Sequence, residues 1–148
     1  MKPAAALLQA RAIYVAMLMA AGLYVVVGEL VAQPRPEPVG PLYVALAALA
    51  ASSAVAGMWM SRRMWAQAEQ MFSANLEDPS ALQRWRAGYL VAFCCAEAVL
   101  IFGLVLRFLG FGVRKVAPFY AVGIALMCLT WPKPSVSASD SFTANSRL

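Results

Sequence analysis

The chain reads as an all-α polytopic membrane protein, four transmembrane helices built as two repeated hairpins, and three observations lead there. Hydrophobic residues fill 62% of its 148 positions and charged residues 13%, too few to wet the surface of a soluble domain. The apolar residues gather into four runs, about 12–32, 42–60, 87–106 and 116–131. At a rise of ~1.5 Å per residue, runs of this kind approach the ~30 Å thickness of a hydrocarbon core. The third observation is a repeat: Arg11-Ala12-Ile13-Tyr14 opens the first run and Arg86-Ala87-Gly88-Tyr89 the third. Fourteen residues after each tyrosine stands a glycine, Gly28 and Gly103. Helix 2 begins Pro41-Leu42-Tyr43 and helix 4 begins Pro118-Phe119-Tyr120. Two hairpins of one orientation, related by an axis along the membrane normal, produce such a pattern.

The first run has no small-residue cleavage site and is followed by further apolar runs, so a retained helix is expected rather than a signal peptide. Segment 33–41 carries Pro34, Pro36, Pro38 and Pro41, which suits a short connection outside the hydrocarbon between antiparallel helices. Helix 2 is crowded with small residues between Ala45 and Gly57, and stretch 62–72 should continue it into water. Asp78 is a good N-cap with Pro79 at the first helical position, so helix 3 should run 79–106 and start about two turns before the membrane. Gly110, Gly112, Arg114 and Lys115 mark the third loop, and Pro118 is tolerable in the first turn of helix 4. Residues 1–134 thus form one transmembrane domain; the Ser-, Ala- and Thr-rich tail 135–148 should be disordered.

The net charge of +5 comes from Lys and Arg at the ends of apolar runs. That placement suits orientation and headgroup contacts better than nucleic acid, so the lipid bilayer is the expected partner. Lys2, Arg11, Arg62, Arg63, Arg84, Arg86, Lys133 and Arg147 fall on one side; Arg35, Arg107, Arg114 and Lys115 fall on the other. The excess puts both termini and the long middle connection in the cytoplasm, and a bacterial inner membrane is the expected home.

Glu97 is the candidate ion-binding residue, because it stands alone near the middle of the third run, where an ionised side chain is expensive. It could be a structural acid hydrogen-bonded to Ser52 or Ser53 of helix 2, pair with a basic residue of another subunit, or carry a proton or cation. Glu29 is a weaker candidate near the end of helix 1, within reach of headgroups, and Arg107 can snorkel at the end of helix 3. Gly88, Ala92, Ala96 and Gly103 lie near one face of helix 3 and form a helix-packing stripe, within the subunit or between subunits. Trp59, Trp65, Trp85 and Trp131 flank the runs as an aromatic belt does.

The absence of histidine removes His-ligated haem, the usual zinc sites and His-based catalysis. Cys94 and Cys95 point about 100° apart on a helix and read, with Cys128, as packing residues, so no metal site or cofactor is expected. With no paired carboxylates in a run and no Gly-rich phosphate loop, no enzyme is expected.

The stretch Glu97-Ala98-Val99-Leu100-Ile101-Phe102-Gly103-Leu104-Val105 resembles the outer helix of the proteolipid, or c, subunit of rotary ATPases. Pro79, Arg86 and Glu97 also keep that family's intervals between loop proline, basic residue and acid, and the resemblance covers about residues 42–106. It implies that Glu97 is the ion-binding carboxyl of an oligomeric subunit. The chain departs from the family in its loop, which reads Asn75-Leu76-Glu77-Asp78-Pro79, and in its extra helices 1 and 4. The expected function is therefore that of a divergent proteolipid-like subunit binding a proton or cation at Glu97. An accessory subunit of a larger membrane complex with Glu97 structural is the alternative, and a small proton-coupled transporter a third.

Overall fold

The structure, a computed structural model, describes residues 3–32, 40–74 and 79–132, with only the backbone for residues 3–7. Lys2, Arg35, Lys133, Arg147, most of the proline-rich segment, the Asp78 cap and the 135–148 tail lie outside the described residues. Four helices account for nearly all of the rest: α1 (Pro3–Val31), α2 (Gly40–Ala74), α3 (Pro79–Phe108) and α4 (Val113–Leu129). Of these, α1, α2 and α3 are long and apolar enough to cross a membrane, as an integral membrane protein requires. α4 has 17 residues, about 25 Å of helix, and stands at the lower limit of spanning length.

α3 is the hub. It packs against α1, α2 and α4, while α1 and α2 scarcely touch. Its interior face carries Phe93, Val99, Leu100 and Leu106, all almost fully buried. α2 runs antiparallel beside it, with Trp65 against Gly88 and Tyr89 and, further along, Gly57 against Cys95. α4 is also antiparallel to α3, pairing Phe119 and Tyr120 with Gly103 and Gly123 with Leu100. α1 runs parallel to α3: Tyr14 meets Phe93 near one end and Gly28 meets Leu104 near the other.

Sequence explains several of these details. α2 has 35 residues, about 52 Å, so it is far longer than a hydrocarbon core, and its last third holds Arg62, Arg63, Gln67, Glu69 and Gln70. Arg63 lies over the Trp59 ring at 4.0 Å, an aromatic–cation pair of the kind that suits a membrane interface. α3 ends in a Schellman turn: Gly110 takes φ 97°, its N–H bonds Arg107 O at 3.1 Å, and Phe111 N–H bonds Leu106 O at 3.1 Å. Only glycine adopts that conformation without strain, and the turn lets the chain reverse into α4 within a few residues.

Candidate functional site

Glu97 lies on the flank of α3 that faces α1, half-buried. The Tyr24 hydroxyl of α1 donates to its Oε1 at 2.7 Å, an ordinary O–H···O distance. Because α1 and α3 run parallel and both positions fall within apolar spans, the bond joins two membrane helices well inside their length. A phenol is suited to such a place: its ring is apolar enough for the bundle and its single hydroxyl meets the acid. One carboxyl and one hydroxyl can hold a proton between them or fix an anion; the same pair offers few oxygens to a metal ion.

The other candidate residues fall elsewhere. Ser52 is exposed and donates to Leu49 O of its own helix at 2.9 Å, and Ser53 is half-buried on α2. Glu29 meets Arg107 in a two-pronged ion pair, Nε to Oε1 at 3.1 Å and Nη2 to Oε2 at 3.2 Å. Arg107 also donates to Phe111 O at 3.3 Å, so one guanidinium ties α1 to the turn before α4. The pair is open to the outside, with side chains 17% exposed for Arg107 and 39% for Glu29. Gly88, Ala92, Ala96 and Gly103 are all buried inside the subunit. Gly88 receives the Trp65 indole of α2, and Gly103 receives Phe119 and Tyr120 of α4. Ala92 and Ala96 line a minute gap shared by α2, α3 and α4.

Sequence reasoning missed Tyr24, which it did not weigh as a partner at all. A signal was present. In the repeat, Glu97 aligns with Gly22, so Tyr24 stands two residues from the matching depth on a helix of the same direction. Glu29 and Arg107 carried a similar signal, being opposite charges near the ends of two parallel helices. A groove of about 290 Å³ between α1 and α3 is lined by Ile13, Arg86, Tyr89, Leu90 and Phe93 among others, and Glu97 is not part of its wall.

Fold and site together define a class: an all-helical protein with three membrane-length helices and an acid–phenol pair between two of them. No protein-family model, curated protein or solved structure matches the chain.

Proposed function

We propose that this chain is a proteolipid-like membrane subunit that binds a proton or cation at Glu97, as one member of an oligomer. The observation that carries this reading is the Tyr24 hydroxyl on Glu97 Oε1 inside the span. An isolated carboxylate there is costly, and a phenol at hydrogen-bonding distance makes both its charged and its neutral form tolerable. The meagre oxygen set favours the proton over a cation. In this proposal α4 completes a fourth span, both termini face the cytoplasm of a bacterial inner membrane, and the two hairpins are related copies. The duplication rests on the sequence repeat alone, since α3 packs closely on α4 while α1 and α2 scarcely touch. For the oligomer, the support is the outer face of α2, where Ala48, Ala51, Ser52 and Ala56 are exposed and could admit a neighbouring helix closely.

One observation favours the accessory-subunit reading. Among the described residues, Tyr24–Glu97 stands in a series of polar links between α1 and α3, with Gln9–Arg86 below it and Glu29–Arg107 above. A purely structural role for Glu97 would fit that series. Carbodiimide labelling of the protein in its membrane, with the adduct located by mass spectrometry, separates the two, since the reagent modifies protonated carboxyls in apolar surroundings. Labelling at Glu97 that fades as the pH is raised is the result expected of a titrating site. Labelling absent at every pH would leave Glu97 a sealed structural acid and sink the proposal.

A further inference from the structure

α1 and α3 do not close on each other along their whole length. At the end where Gln9 accepts from Arg86, a groove of about 290 Å³ lies between them. Ala10 and Ile13 of α1 form one wall, Leu90 and Phe93 of α3 the other, and Gln83 and Arg86 stand at the mouth. Leu90 is 50% exposed, so the groove opens sideways; Phe93 is 1% exposed and packs on Tyr14 at the deep end. Gln83 and Phe93 are about 15 Å apart along α3, half the thickness of a hydrocarbon core and so the depth of one leaflet. Spread over that length, the volume averages about 5 Å across, too slim for a helix of ~10–12 Å but wide enough for one hydrocarbon chain.

The mouth lies at the most basic end of the bundle. Arg11, Arg62, Arg63, Arg84 and Arg86 all fall there, and Glu69 is the one acid at that end among the described residues. Arg63 lies over Trp59 and Arg11 over Trp131, aromatic–cation pairs that suit the level of lipid headgroups. Arg86 belongs both to this basic end and to the groove itself. A slot walled by carbon along one leaflet and cationic at its mouth has the polarity of an anionic amphiphile. We infer that the groove holds one acyl chain of an anionic phospholipid, with the headgroup phosphate at Arg86 and Gln83. The surrounding arginines favour a headgroup of net negative charge over a zwitterionic one, whose own cation offsets its phosphate. A second copy of this chain is a poor occupant, because a helix is too wide and two such basic ends repel. The inference goes beyond the proposed ion site and does not depend on Glu97, which stands one turn past Phe93 and outside the wall.

The test uses the full chain in phosphatidylcholine vesicles carrying a trace of phosphatidylglycerol with a photoactivatable group on its acyl chain. Peptide mass spectrometry locates the adduct, and the same photoactivatable group on phosphatidylcholine gives the comparison. The phosphatidylglycerol adduct should concentrate on Ile13, Leu90 and Phe93, several-fold above the phosphatidylcholine one. Arg86→Gln should lower that preference about fivefold, the effect of one basic residue near a headgroup, and Arg86→Lys should keep most of it. Leu90→Trp fills the open side and should abolish groove adduct with both probes. Adduct on the outward residues Val44 and Val55 of α2 should persist in that variant, which shows that it still folds into the membrane. Adduct spread evenly over every outward apolar face would reduce the groove to ordinary boundary lipid and overturn the site. Equal labelling by the two probes overturns the anionic headgroup. A loss in Arg84→Gln as large as in Arg86→Gln would replace the site with diffuse charge, since Arg84 does not line the groove. A groove that takes no adduct at all is covered by another chain, and the inference falls.

Discussion

Replacing Tyr24 with phenylalanine removes one hydroxyl and almost nothing else, so it isolates the bond to Glu97. The bond has ordinary O–H···O length, 2.7 Å, and is half-buried between two helices. Interhelical polar contacts within membranes contribute ~0.6 kcal/mol on average and up to ~1.7 kcal/mol. A contact with this geometry and an acid partner belongs in the upper half, so Tyr24→Phe should cost about 1 to 1.7 kcal/mol, a shift of roughly 5- to 20-fold in the unfolding equilibrium. Reversible unfolding in mixed micelles would measure it, with the tryptophans as reporters. A double-mutant cycle with Glu97→Leu supplies the pairwise part. Glu97→Gln keeps an acceptor oxygen, so its coupling to Tyr24 should survive in reduced form. A coupling energy of zero between Tyr24 and Glu97→Leu would show that the two side chains do not meet, and the site as described would fall.

Four further outcomes follow from the same contacts. Gly123→Ala places a methyl 2.5 Å from Leu100 Cγ and 3.1 Å from the Ala96 carbonyl oxygen, where helix backbone cannot yield, and should destabilise by about 1–3 kcal/mol in the same unfolding assay. Gly22→Ala meets nothing within 4 Å and should be neutral or stabilise by up to about 1 kcal/mol. Glu29→Gln should cost about 0.5–1 kcal/mol, less at high salt because the pair is partly exposed; Arg107→Ala should cost more, since it also frees the Phe111 carbonyl, and equal costs would argue against the second contact. Ser52→Ala should leave carbodiimide labelling of Glu97 unchanged, because the Ser52 hydroxyl is bonded to Leu49 O; a changed labelling profile would place Ser52 at the acid after all.

The helices were legible from composition because hydrocarbon demands that backbone groups pair within each span, and long apolar runs in a chain with so few charges have few other forms. The extension of α2 past Ser61, the start of α3 at Pro79 and the reversal at Gly110 were legible for local reasons: charge, a fixed φ and a left-handed turn. Lateral neighbours were harder to read. In a soluble helix the polar face marks the outside, but here both the lipid-facing and the core-facing sides of α1 are apolar. Nothing in the period of the sequence therefore fixes the rotation of α1 about its axis. Tyr24 could have faced lipid as easily as Glu97, and the tyrosine was passed over for that reason. Arg107 was read as a snorkelling end residue because nothing in the run sets the depth and rotation of Glu29 against it.

The joints of this bundle obey two different rules. α2 and α4 meet α3 through glycines that let side chains and backbones close in: Gly57 and Gly88 on one side, Gly103 and Gly123 on the other. Dispersion holds such joints, and lipid competes poorly for a surface that fits so closely. α1 has less of this. Most of its side chains, Val15, Leu18, Met19, Leu23, Val26 and Leu30 among them, face outward, and lipid tails are as good a solvent for them as another helix. What distinguishes α3 from lipid, for α1, is chiefly polar: Arg86 for Gln9, Glu97 for Tyr24, and Arg107 for Glu29. A polar link in hydrocarbon is directional and has no substitute among lipid tails, so such links along parallel helices set both register and rotation. The central link is also the one whose acceptor can change protonation state. If Glu97 titrates, the strength of the middle joint changes with it, while the glycine-packed seams to α2 and α4, whose described polar link Arg84–Gln67 holds no acid, do not. Any movement driven by protonation is then a movement of α1. A single disulfide linking α1 to α3 should abolish pH-dependent changes in the exposure of α1, whereas one linking α2 to α3 should leave them intact. The opposite pattern would assign the mobile joint to α2 and refute this ordering.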